Sequence, residues 1–302
     1  MNTDGLSTEA KAFLDSCVQD NEPTDFSRIM QIRDEVRETS VPGAERAIRR
    51  HDLLREDIVL AGVDCERIVS CKNKATNGTL VYFFGGGFVV GCPYSDLPII
   101  GALAQWCQLE VIAPKYRLAP EHPAPAAADD CMSVWREVSS THAQPLFLAG
   151  ESAGGNLALV VAQRALSEGL KLPDAMALLS PAVDLRTDVA LFEPTTYADP
   201  TLSPVRVGEV LRVYGENGNA NDPSLSPLFG SLTDMPPVFI TTGTRDMLLS
   251  MCLRLHRELI RAGVEVECRV WDGLWHVFEY YDEYPEAAES LREISSFLNE
   301  RA

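Results

Sequence analysis

The apolar run Leu146-Phe147-Leu148-Ala149 ends in Gly150-Glu151-Ser152-Ala153-Gly154-Gly155 and passes into a helix-like stretch from Asn156 onward. A strand, a sharp turn and a helix are the elements that this order of residues supports. The spacing G-x-S-x-G sets glycines on both sides of a serine because so tight a turn leaves no room for side chains, and it exposes the hydroxyl at the strand end. The helix that follows turns its free N–H groups toward that hydroxyl. The segment reads as a nucleophile elbow.

Around it, short β-rich runs alternate with longer helical stretches from about residue 58 onward, the pattern of crossover connections in a mostly parallel sheet. Eight strands are expected: Asp57 to Leu60, Cys65 to Cys71, Thr79 to Phe84, Glu110 to Ala113, Leu146 to Ala149, Met176 to Leu179, Val238 to Thr242 and Glu265 to Trp271. Helices are expected over Asp96 to Gln108, Ala126 to Ser139, Asn156 to Ser167, Met247 to Ala262 and Pro285 to Glu300. Residues 1–56 hold two amphipathic helical patterns, Thr8 to Val18 and Ser27 to Arg37, without strand alternation, and read as an N-terminal cap segment. A second non-strand stretch at about 186–221 is long for a simple connection and reads as a cap insertion in a catalytic domain of residues 57–302.

The formal charge of −18, from 44 acidic against 26 basic residues, excludes the basic stripe that nucleic-acid binding needs and disfavours anionic membranes. No apolar run approaches the roughly 18 residues of a membrane span. The opening MNTDGLSTEAK lacks the charged and apolar regions of a secretory signal, so a soluble, cytoplasmic protein is expected. Eight cysteines are scattered without a C-x-x-C pair, and most read as reduced core residues, with Cys92 just after the glycine-rich loop.

Serine-based hydrolysis needs a base to take the hydroxyl proton, an acid to orient that base, and donors for the oxyanion. Asp246 follows the Val238 to Thr242 run, and His276 follows the run that ends near Trp271, so both fall on loops at the carboxyl edge of the sheet. The order Ser152, Asp246, His276 is the α/β-hydrolase order. Among five histidines, His276 stands apart because it lies in the apolar loop Gly273-Leu274-Trp275-His276-Val277-Phe278. Asp246 also suits a helix N-cap, a role compatible with catalysis. Oxyanion donors are expected from Ala153 and from the glycine loop of Val81-Tyr82-Phe83-Phe84-Gly85-Gly86-Gly87-Phe88, where each donor is worth about 3 kcal/mol. Without G-K-[ST] or G-x-G-x-x-G before a helix, that loop does not read as a nucleotide site, and neither a cofactor nor a metal is expected.

The ordered set FGGGFVVG at 84–91, YRLAPEHPAPAAADD at 116–130, GESAGG at 150–155, SPAVDL at 180–185 and DPSLSPLFG at 222–230, with the Asp246 and His276 contexts, resembles the hormone-sensitive-lipase family of esterases, bacterial family IV. The resemblance spans about residues 79–280. It implies an α/β-hydrolase fold with a mostly parallel eight-stranded sheet flanked by helices, a helical cap, and cofactor-free cleavage of carboxylic esters. It also implies Ser152 as nucleophile, His276 as base, Asp246 as its orienter, and Gly86, Gly87 and Ala153 as oxyanion donors. Tyr116-Arg117 and Glu121-His122-Pro123 resemble structural positions. Two departures stand out: Phe84 replaces the histidine that usually opens the glycine loop, so packing must hold that loop, and Glu151 replaces a common aspartate.

A small, short-chain ester is the expected substrate, with Phe88, Tyr197, Leu202 and Val205 expected to line its pocket, and a homodimer is a possible assembly. Two other readings stay open. One is a ligand-binding receptor on the same fold, as in the plant gibberellin receptors, against which the retained Ser152, Asp246 and His276 argue; the other is a hydrolase of lactones or acetylated small molecules.

Overall fold

The computed structural model describes residues 3–17, 22–142, 145–186, 198–216 and 218–302. The eight runs read as strands all form, as β1 Leu53–Leu60, β2 Val63–Ser70, β3 Thr79–Phe83, β4 Glu110–Pro114, β5 Leu146–Glu151, β6 Ala175–Leu179, β7 Val238–Gly243 and β8 Val266–Trp271. They make one sheet in the order β1-β2-β4-β3-β5-β6-β7-β8. Only the β1·β2 and β2·β4 pairs run antiparallel; from β4 to β8 every neighbour is parallel. Every residue of β3, β5, β6 and β7 is buried, which is why these runs are largely apolar instead of alternating.

The helices are α1 Thr8–Ser16, α2 Ile29–His51, α3 Leu97–Trp106, α4 Ala126–Thr141, α5 Ala153–Ser167, α6 Pro204–Tyr214, α7 Leu249–Arg261 and α8 Pro285–Asn299. Helix α3 packs with α8, α4 packs with α5, and α5 lies along β5. Among the described residues no helix is long and apolar enough to cross a membrane. The chain lays β3 and β4 on one side and then returns to place β5 on the other side of β3. That reversal opens a crevice at the carboxyl ends of β3 and β5, where the glycine loop and the elbow both emerge.

Two elements at the N-terminal side extend well beyond the sequence reading. Helix α2 continues past Arg37 and through Pro42 to His51, because Ala44 and Ala47 are fully buried and the helix packs along α3. Tertiary burial there outweighs the backbone hydrogen bond that Pro42 removes. Strand β1 starts at Leu53, four residues before the expected Asp57, and pairs with β2 from Leu53↔Ser70 to Leu60↔Val63 around a two-residue turn. Ala61 and Gly62 hold φ of 49° and 79° there, as a primed hairpin turn requires.

The elbow itself is forced by close backbone approach. A Cβ on Gly154 would stand 1.9 Å from the Phe83 carbonyl oxygen, so α5 can start against β3 only with glycine at that position. Ser152 accepts φ 52° and ψ −117°, a strained conformation fixed by Ser152 N–H donating to Leu179 O at 2.9 Å and Ala182 N–H donating to Ser152 O at 3.0 Å.

A second apolar cluster joins the N-terminal helix to the loop that carries His276: Leu6 and Ala10 pack with Leu274, Trp275, Phe278 and Ala287. Phe13 stacks on Trp275 with centroids 4.2 Å apart, and Glu286 accepts from Ser7 N–H at 2.6 Å and from its hydroxyl at 2.8 Å. The N-terminal segment thus braces the far end of the sheet as well as lying over its edge. Phe13→Ala is expected to lower the free energy of unfolding by about 2 kcal/mol, the worth of one largely buried ring. Equilibrium urea denaturation checks this, and an unchanged midpoint would show that α1 contributes no stability.

Candidate active site

Ser152, Asp246 and His276 leave the sheet from the ends of β5, β7 and β8, and the fold brings them to one place. His276 Nδ1 lies 3.0 Å from Asp246 Oδ1, both groups being buried. Asp246 also accepts from Thr242 Oγ1 at 2.7 Å and from Leu248 N–H at 2.8 Å, so its carboxylate is oriented from both sides. The two loops are joined directly, with Arg245 N–H donating to Leu274 O at 2.8 Å and Arg245 Nε donating to Gly273 O at 2.9 Å. Ser152 and His276 line the same cavity, of about 920 Å3, together with Gly86, Gly87 and Ala153.

The electrostatics favour the protonated imidazole. Burial works against the charge on His276, but Asp246, with Asp199 and Glu151 farther out, outweighs it and raises the imidazole from 6.5 to about 9. Burial likewise opposes ionisation of Asp246. The His276 charge and the hydrogen bonds from His276, Ser180 and Leu248 outweigh that penalty and hold Asp246 below the usual carboxylate range.

Ala153 is the first residue of α5, so its N–H is one of the donors a helix leaves unpaired, and it faces the cavity. Across from it, Gly86 and Gly87 take φ of 100° and 62°. The loop is seated on the elbow carboxylate: a Cβ on Gly85 would fall 1.9 Å from Glu151 Oε1. Phe84 replaces a histidine's hydrogen bonds with packing, stacking on Tyr116 at 4.1 Å and 8°, while Tyr116 OH donates to Phe84 O at 2.6 Å. Beneath the loop, Tyr280 OH donates to Glu151 Oε1, and Tyr82 OH donates to Asp96 Oδ2 at 2.9 Å. Burial and the Glu151 charge push Asp96 well above the usual carboxylate range, against the hydrogen bonds it accepts from Tyr82 and Tyr280.

Of the residues expected in the pocket, Phe88 and Leu202 line it. Phe88 is stacked on Tyr214 at 3.7 Å. Val205 is a correction: it is 40% exposed and does not line the cavity. The helical step of α6 instead turns Val207, Val210 and Leu211 inward. Tyr197 lies outside the described residues. The sequence reading missed Ile29, Ile32 and Val36, which α2 contributes to the wall. Arg33 holds that helix over the glycine loop, donating to Val89 O at 2.8 Å and to Ala119 O at 2.9 Å and pairing with Glu121 at 2.7 Å. The amphipathic pattern of Ser27 to Arg37 carried this signal but not its direction.

Also missed was Asp199, a buried carboxylate in the insertion. Asp199, Asp246 and His276 form a group among the described residues whose donor atoms lie within 4.8 Å of one another. A shared cation would have to compete with the N–H and O–H donors these carboxylates already accept and with the His276–Asp246 bond. The arrangement suits proton transfer and charge stabilisation at Ser152.

Comparison with known proteins agrees. Residues 80–280 match the alpha/beta hydrolase fold family. An esterase of Acinetobacter venetianus is 30% identical over 245 residues, 80% of each chain. An acetyl-hydrolase of Streptomyces hygroscopicus is 30% identical, over 73% of this chain and 75% of its own. Among solved structures, EstE5 soaked with p-nitrophenyl butyrate superposes with a TM-score of 0.87 at 26% identity, covering 97% of both chains. A hormone-sensitive lipase from a metagenome library gives 0.84 at 30% identity, covering 97% of this chain and 96% of its own. With these matches spanning its catalytic core, the chain belongs to the alpha/beta hydrolase fold family, within its hormone-sensitive-lipase group of carboxylic ester hydrolases.

Proposed function

We propose that the protein hydrolyses short-chain carboxylic esters through an acyl-enzyme formed on Ser152. The observation that carries this reading is the His276–Asp246 pair at 3.0 Å, with His276 lining one cavity together with a strained serine at a helix N-terminus. Ser152 Oγ attacks the ester carbonyl carbon while His276 takes its proton, and Asp246 holds the resulting imidazolium. The carbonyl oxygen becomes an oxyanion facing the N–H groups of Gly86, Gly87 and Ala153. His276 returns the proton to the departing alcohol; water, deprotonated by the same imidazole, then releases the acid.

Residues 1–56 and about 186–221 act as the cap over a catalytic domain of residues 57–302. This is supported by the walls that α2 and α6 contribute to the cavity and by the Arg33 bonds that seat α2. Phe88, Leu202 and the neighbouring Val207 and Val210 hold the apolar parts of the substrate. A short acyl group is supported by the acetyl-hydrolase relative and by the butyrate ester soaked into EstE5. A homodimer is supported by the outer position of β8, where Val270, with Leu253 and Ile260 of the α7 helix packed on that strand, is exposed. A cytoplasmic location is supported by the eight cysteines, all free.

Ser152→Ala should lower kcat on p-nitrophenyl acetate by about 10⁴-fold or more with the fold retained, read by circular dichroism, and should abolish labelling by a fluorophosphonate probe. Undiminished turnover removes Ser152 from the nucleophile role, and a wild-type protein that resists the probe points to a receptor. Asp246→Asn should lower kcat by about 10⁴-fold; a loss below about tenfold assigns the orienting acid elsewhere. Because the base must be neutral, kcat/KM should climb with pH through a midpoint near 9. The same raised imidazole contributes folding stability that is complete below pH 6.5 and is lost as pH rises through about 9. A kinetic midpoint at or below 6.5 would contradict this electrostatic account.

A further inference from the structure

Asp199 enters the site from the insertion, 1% exposed, and every hydrogen bond described for it comes from a donor. Oδ1 accepts from Thr201 N–H at 2.8 Å, Thr201 Oγ1 at 2.8 Å and Leu202 N–H at 3.1 Å, and Oδ2 accepts from Met247 N–H at 2.9 Å. Such a donor set suits an ionised carboxylate, which can only accept. The bond to Met247 has a second consequence, since Met247 directly follows Asp246 in the turn that presents the acid to His276. With oxygens of Asp199 and Asp246 and a nitrogen of His276 all within 4.8 Å of one another, the imidazole faces two carboxylates on two different elements.

We infer that Asp199 is a second, positioning carboxylate for His276: it braces the Met247 turn that carries Asp246 and holds an additional negative charge beside the imidazole. The inference rests on the proposed roles of Asp246 and His276. Asp199 does not line the cavity and acts through the other two. Its charge favours the imidazolium that forms when Ser152 loses its proton, at the cost of making the resting base harder to deprotonate. The carboxylates that bear on the imidazole are Asp246 after β7, Asp199 in the insertion and Glu151 at the end of β5. Burial and the Asp246 charge push Asp199 above the usual carboxylate range, a rise that the His276 charge and the Met247 and Thr201 N–H groups offset only in part. Thr201 and Leu202, which donate to Asp199, also line the cavity, so the brace connects the insertion to the acid.

The test reads His276 directly. Histidine ring nitrogens are ¹⁵N-labelled and titrated by NMR in Ser152→Ala protein, with and without Asp199→Asn, and His276→Gln assigns the signal. The His276 midpoint should fall by about one unit when the Asp199 charge is removed, and Asp199→Glu should restore part of the shift. In the Ser152 protein, the acid limb of kcat/KM should move down in parallel. An unchanged His276 midpoint in a folded Asp199→Asn protein, even one of lower Tm, overturns the inference and leaves Asp199 a structural brace. If Asp199→Asn does not fold, Asp199→Ser, which keeps a hydroxyl acceptor for Met247, is read in the same way. Because the NMR titration is made without turnover, its outcome is independent of whether Ser152 is the nucleophile, which the loss of activity in Ser152→Ala decides separately.

Discussion

The backbone of Ser152, held at φ 52° where β5 meets α5, is the constraint to which the rest of the site is built. A residue in that region costs on the order of 1–3 kcal/mol and persists only where its surroundings over-determine it. Here the surroundings are the Phe83 and Leu179 carbonyls of the two flanking strands, the glycine at 154 that lets α5 approach β3, and the Ala182 N–H from the next loop. Because the neighbours of β5 are parallel and wholly buried, the strain is carried by the stiffest part of the molecule.

Around that point the protein collects carboxyl groups in a low-dielectric setting and keeps them from repelling one another. Asp246 is held below the usual carboxylate range by its pairing with His276, Asp96 is pushed above that range by burial and the Glu151 charge, and Asp199 is held by N–H and O–H donors. The imidazole therefore sits in a strongly negative field, suited to the positive charge it acquires during proton transfer. Phe84 belongs to the same balance. Stacked on Tyr116 with its carbonyl tied to that phenol, it holds the glycine loop by packing and one hydrogen bond, and adds no further titrating group.

Much of this was readable in the sequence for local reasons. Strands buried on both faces are mostly apolar, so β3, β5, β6 and β7 announce themselves, and the glycine pattern of the elbow reflects contacts made within a few residues of Ser152. The expected order of Ser152, Asp246 and His276 placed them on three loops at one sheet edge, and the structure brings Ser152 and His276 to one cavity with Asp246 buried behind the imidazole. The helical pattern read over Ser27 to Arg37 runs on through Pro42 to His51, because burial against α3 sustains it. Val205 was expected in the pocket because valine is apolar, yet the rotation of α6 relative to the sheet exposes it and turns Val207 and Val210 inward.

The chain by itself determined the strand and helix alternation, the serine turn and the glycine loop, because each depends on residue type at short spacing. Only the tertiary structure decided that α1 grips the His276 loop, that α2 roofs the glycine loop through Arg33, and that Asp199 reaches Met247 from 48 residues away. Those contacts join segments whose separation carries no periodic signal, and they exist only once the sheet has set the distance between its loops.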